Sequence, residues 1–162
     1  MNVFTAHLNW TGAAKGATND PASFSRDLSM SVASLTVPMS SAPGYRGDAS
    51  RANPEQLFVA ALSACQALTY LFLAAKNEVR VIGYTDDAEG RLELIDRKVR
   101  MSHVILRPHV TLEAGCDEAL ARALVAKAHA GCFIANSVST TVEIEPTFAT
   151  FVSDSDLVKV RA

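Results

Sequence analysis

The chain has 162 residues, 49% of them hydrophobic and 20% charged, with a formal net charge of −2 and a pI near 6.1. That is enough for one domain with a substantial core and no disulfide staples, and the near-neutral charge provides no electrostatic footprint for nucleic acid. Three cysteines, an odd number in a chain of this size, argue against a secreted disulfide framework and for a reducing compartment. The opening residues carry neither the basic region nor the apolar stretch of a signal peptide, so the cytoplasm is the expected location.

Residues 2–10 are predicted as a first strand, 11–23 as a Gly-, Ala-, Asn- and Pro-containing loop, and 28–37 as a second strand. Residues 38–53 hold Pro43, Gly44 and Gly47 and form an irregular connection. Asn53-Pro54-Glu55 then signals a helix start: a capping amide, a proline in the first turn, and an acid facing the positive end of the dipole. The helix is expected to end near Lys76-Asn77. Strands follow at 79–86, 91–95 and 99–106, with 86–90 as a turn, and residues 109–112 extend an edge strand after Pro108. Asp117 caps a second helix over 118–130, and 140–145 and 147–152 close the chain as strands. The order predicts an α+β fold without the alternation that builds a purely parallel sheet.

Residues 57–75 contain no charge, which is the length of a membrane span. Ser63, Gln66, Thr69 and Tyr70, and the lack of a basic flank, argue against that use. A soluble helix that is apolar all round needs cover on every side, and a homodimer is the economical way for a small chain to supply it.

Cys65 lies in the middle of this helix, and Cys132 lies just past the second one, 67 residues later. No CxxC loop or local zinc knuckle joins them, so any shared chemistry must come from the fold. As an inert pair they would be small buried hydrophobes. As a functional pair they would be an attacking thiol and its resolving partner. Mid-helix, Cys65 gains little from the dipole, and burial raises a thiol pKa, so reactivity calls for a cation from a loop. Arg26, Arg46 and Arg51 are the candidates. Glu55 is about 15 Å from Cys65 along the axis and cannot touch it on one helix, but it can do so across a dimer. His129 and Cys132 form an H-x-x-C pair, which with Cys65 makes an incomplete zinc set. His129 and Cys65 could alternatively serve a cysteine hydrolase. No phosphate-binding or dinucleotide fingerprint is present, and Cys116 is incidental.

Asn53-Pro-Glu-Gln-Leu-Phe-Val-Ala-Ala-Leu-Ser-Ala-Cys65 resembles the signature of the OsmC/Ohr family, the osmotically inducible and organic hydroperoxide resistance proteins. The segment from Ala128 to Val138 resembles that family's second cysteine segment, and Tyr84-x-Asp-x-Ala-x-Gly90 resembles its OsmC-like branch. The resemblance implies a single OsmC-like domain over 1–162, with antiparallel sheets around two central helices in an intertwined homodimer. It also implies thiol-dependent reduction of organic hydroperoxides, with Cys65 peroxidatic, Cys132 resolving and Glu55 orienting an arginine. Arg26 is the first choice for that arginine and Arg46 the second. The implied reductant is an external dithiol of the lipoyl or small-thiol type, with no bound cofactor, no metal, and neither nucleic acid nor membrane as partner. The other reading is a non-enzymatic module that binds an apolar ligand at the dimer interface. Two positions depart from the family: Phe133 follows Cys132 where proline is usual, and Gln66 follows Cys65 where histidine is frequent in this branch.

Overall fold

A computed structural model describes residues 1–151 and holds two helices and nine strands, in the order β-β-β-α-β-β-β-β-α-β-β. Its residues group into two compact units, one ending at Phe58 and one beginning at Val59.

In the first unit, β1 (His7–Asn9), β2 (Leu28–Val32) and β3 (Leu35–Met39) form an antiparallel sheet in that order. The strand expected over 28–37 is therefore a hairpin. Its two-residue turn places Ala33 at φ 49°, a left-handed conformation usually left to Gly or Asn, so the turn carries no residue that would reveal it. The loop expected over 11–23 begins with a 3-10 turn at Thr11–Lys15. Trp10 is anchored there, its Nε1–H donating to the Ser25 carbonyl at 2.8 Å.

The first helix, α1 (Pro54–Lys76), starts as the sequence predicts. Asn53 Oδ1 accepts from the Gln56 N–H at 2.9 Å, and Gln56 Oε1 accepts from the Asn53 N–H at 3.1 Å. This reciprocal pair satisfies two donors that a helix end otherwise leaves open. The chain itself buries one stripe of α1: Leu62, Gln66, Tyr70 and Ala74, each four residues after the last.

In the second unit, β4 (Val81–Asp86), β7 (Pro108–Glu113) and β9 (Thr147–Phe151) form one sheet with β7 in the middle. The segment after Pro108 is thus a central strand and not the edge strand expected. Pro108 opens the strand, the one place in a ladder where a missing N–H is tolerated, and Pro108, Val110 and Leu112 alternate inward. The other sheet sets β6 (Lys98–Leu106) between β5 (Glu89–Ile95) and β8 (Thr141–Ile144). Both sheets are mixed, which corrects the expectation of antiparallel sheets: β8 runs parallel to β6 and β9 parallel to β7. The cause is α2 (Glu118–Gly131), the crossover that returns the chain in its original direction. The predicted closing strand reached Val152, which lies outside the described residues.

α2 is capped as expected, Asp117 Oδ1 accepting from the Leu120 N–H at 2.9 Å. Tyr70 and Ala74 of α1, Leu124 and Ala128 of α2, and Val110 and Leu112 of β7 meet in the core of this unit. Asp86 ties α1 to the sheets, accepting from Ser63 Oγ at 2.6 Å and from the Arg107 backbone N–H at 2.6 Å.

Candidate active site

Packing of α1 against α2 is what brings the distant cysteines together. Gln66 Nε2 donates to the Val125 carbonyl of α2 at 3.3 Å, and Gly131 at the end of α2 passes close enough to Thr69 that an added Cβ would be in ordinary contact with it. Cys65, half-buried, and Cys132, buried, are then close enough for each thiol to shift the acidity of the other. Both are free cysteines.

The two sulfurs differ in electrostatic character. Burial pushes the Cys65 thiol up, but four hydrogen bonds outweigh it: from the Cys132 thiol, the Ile134 and Phe133 backbone N–H groups, and the Thr69 hydroxyl. The net position is below the ordinary value for a cysteine. Thr69 has one proton and also donates to the Cys65 carbonyl at 2.8 Å, so its service to the sulfur is the weakest of the four. Cys132 moves the other way: burial raises its thiol first, and the proton it lends to Cys65 raises it further, against a 3.4 Å hydrogen bond from the Ala135 N–H. Cys65 is the sulfur that ionises and Cys132 the one that keeps its proton.

Three consecutive amides, Phe133, Ile134 and Ala135, therefore point at the sulfur pair where the chain leaves α2 and enters a 3-10 turn at Ala135–Ser137. Successive N–H groups of this kind make a concavity for negative charge. These donors are invisible to a reading of charged side chains, because a backbone amide has no residue-type signature. The available signal was positional: the residues just past a helix end are free of the helical ladder. Phe133 gains a meaning here, since a proline at that position would have no N–H to give. Its ring is 81% exposed.

Glu55 Oε2 is buried and has no hydrogen-bond partner among the described residues. The Arg26 guanidinium donates to the carbonyls of Phe24 and Pro21 at 2.6 Å each and lies over the Phe24 ring at 4.2 Å, so it is not paired with Glu55. Arg51 bonds Asp48 at 3.3 Å. His129 Nδ1 is buried without a partner among the described residues, and the imidazole is not among the groups bonded to either thiol. No three His, Cys, Asp or Glu side chains among the described residues are grouped to hold a metal ion. Cys116 faces the backbone of Arg80, away from the pair's partners.

A mixed α+β fold with two thiols brought together where two helices meet defines a class of cysteine-bearing proteins. The OsmC-like protein family matches residues 47–147, more than half of the chain, and the chain belongs to that family. An OsmC-like protein of unknown function from Vibrio cholerae is 31% identical, with a TM-score of 0.83 over 90% of this chain and 99% of that one. An organic hydroperoxide resistance protein OsmC from Legionella pneumophila shares the fold at 22% identity, with a TM-score of 0.64 over 92% of this chain and 99% of that one. A further organic hydroperoxide resistance protein, from Elizabethkingia anophelis, does so at 21% identity, with a TM-score of 0.66 over 93% and 99%. No curated protein matches the chain.

Proposed function

We propose that this protein is a thiol-dependent peroxidase that reduces organic hydroperoxides. One observation supports this above the others: two cysteines far apart in sequence meet in the fold, with the more accessible one biased toward thiolate and the buried one toward thiol. In the first step the Cys65 thiolate attacks the terminal peroxide oxygen, the O–O bond breaks, and the alkoxide leaves as the alcohol after taking a proton. Cys65 is then a sulfenic acid. In the second step the Cys132 sulfur displaces the sulfenic oxygen as water, and its proton completes that water as the S–S bond forms. An external dithiol reduces the disulfide in two exchange steps and becomes a disulfide itself. A reducing compartment, the cytoplasm, would supply that reductant.

The amides of Phe133 and Ile134 and the Cys132 thiol would hold Cys65 ionised in the resting state, while an arginine would meet the peroxide oxygens, for which its planar fork is suited. Arg26 is the first choice and Arg46 the second, with Glu55 as the orienting carboxylate. The exposed apolar side chains of Phe133 and Ile134 suit an alkyl substrate better than hydrogen peroxide.

The decisive measurement is thiol counting on the full chain with and without cumene hydroperoxide. Two of the three thiols should be lost per chain, with one equivalent of alcohol formed, and a lipoyl dithiol should restore them. An unchanged count would leave the pair as packing thiols and the reading would fall.

A further inference from the structure

The first unit holds two neighbouring cavities of about 390 and 340 Å³. Both are lined by Arg26 and Arg46. The larger also takes in Lys15, Asp27 and Asp48, but those charges are already committed. Lys15 Nζ bonds Asp27 Oδ2 at 2.6 Å, and Arg51 Nε lies 3.8 Å from Asp27 and 3.3 Å from Asp48. Asp48 also accepts from the Ser50 N–H at 2.9 Å and the Ser50 hydroxyl at 2.7 Å. The smaller cavity contains no acid at all: Ser41, Gly44 and Tyr45 complete its wall with the two arginines.

Neither arginine forms an ion pair with a described carboxylate, although Arg51, Arg80, Arg91, Arg107 and Arg122 all do. Asp27, next to Arg26 in sequence, bonds Lys15, and Asp20 spends its oxygens on the Ala22 N–H at 2.8 Å and the Ser23 hydroxyl at 2.9 Å. Arg26 is nevertheless held still, by the Phe24 and Pro21 carbonyls and by stacking on the Phe24 ring. Its Nε–H and the second hydrogen of each terminal nitrogen have no acceptor among the described residues. Arg46 is held by its backbone. It sits in the left-handed region at φ 64°, closing a turn in which its N–H bonds the Pro43 carbonyl at 3.0 Å and the Gly47 N–H bonds the Ala42 carbonyl at 3.2 Å. Gly47 must lack a side chain, because a Cβ there would collide with the Ser41 carbonyl.

We propose that Arg26 and Arg46 form a binding site for a small organic carboxylate. The two guanidinium forks would share the oxygens, and the Tyr45 ring would take the body of the ligand. Two cations without an ion-pair partner on one concave wall repel each other, and an oxyanion between them converts that cost into charge-assisted hydrogen bonds. The flat, half-exposed Tyr45 favours a carboxylate with an apolar body over a bare inorganic anion. Arg26 and Arg46 are also the arginines that the peroxidase reading offers to the peroxide oxygens, and because benzoate binding is measured without turnover, the failure of one reading is distinguishable from the failure of the other.

Trp10 is the only tryptophan of the chain and bonds Ser25, a residue lining the larger cavity, so its fluorescence reports on this unit. The test titrates benzoate and inorganic phosphate into the full chain at constant ionic strength, followed by Trp10 emission and by calorimetry. Benzoate should saturate at one per chain, at least ten-fold more tightly than phosphate. Arg46→Gln should weaken benzoate at least ten-fold, and Arg46→Lys by less, since it retains charge without the fork. Arg100→Gln, on a strand of the other unit, and Cys65→Ser should bind as the parent does. Arg46→Lys also guards against misfolding of the glutamine variant, and near-ultraviolet dichroism checks both. The proposal is overturned if benzoate does not saturate, if phosphate binds as tightly, or if Arg100→Gln weakens benzoate as much as Arg46→Gln.

Discussion

At Cys65 the balance is between burial, which favours the neutral thiol, and donated hydrogen bonds, which favour the thiolate; the donors prevail. The alkylation rate of Cys65 should therefore persist to lower pH than that of an ordinary cysteine, because the thiolate fraction falls only as pH drops through the lowered pKa. Cys132→Ala removes one donor, so it should move the alkylation profile of Cys65 to higher pH; an unchanged profile would show that the thiol–thiol bond does not matter. Phe133→Pro should shift the profile in the same direction, because proline has no N–H to offer. In turnover, Cys65→Ser should abolish hydroperoxide reduction. Cys132→Ser should react once and stop at a sulfenic acid, which mass spectrometry would show as an added oxygen.

At the scale of elements, the site depends on how α1 and α2 are held. The Asn53–Gln56 capping pair begins α1, and Asn53→Ala should lower stability by about 1 kcal/mol in a denaturant melt, the usual cost of a lost cap. Leu124 is fully buried on α2 against α1 and β7. Leu124→Ala should cost about 2–5 kcal/mol, through lost transfer energy and the cavity left behind. It should also loosen the thiol pair, so a stable variant should form the Cys65–Cys132 disulfide more slowly after peroxide addition. If disulfide formation keeps its rate, the helix contact does not position the thiols.

For the whole molecule, α1 poses the main question. The helix is long and apolar enough to cross a membrane, yet the chain buries only 22% of the residues in its most apolar stretch. Leu68 is 70% and Phe72 65% exposed. An apolar face of this kind needs cover, and we propose a second copy of the chain as the cover. Sedimentation at micromolar concentration should find a dimer, and its melting temperature should rise with protein concentration. A soluble monomer with a concentration-independent melt would contradict this. Phe72→Glu should shift the equilibrium toward monomer.

The helices were legible in the sequence because their start signals are local chemistry: Asn53-Pro54 and Asp117 mark the observed ends almost to the residue. The family was legible for a related reason, since a helix cap, an acid and a cysteine at fixed spacing are written in one continuous segment. The 28–37 hairpin escaped because Ala33 does the work of a glycine, and the central place of β7 escaped because strand neighbours are chosen by the α2 crossover and not by local pattern. The two cysteines could be nominated from sequence, but their meeting, and the division between an ionising and a proton-keeping sulfur, was decided only by tertiary structure. The reason is physical: thiol acidity is set by donors close in space, and here the donors include backbone amides, which every residue but proline possesses and no sequence pattern displays.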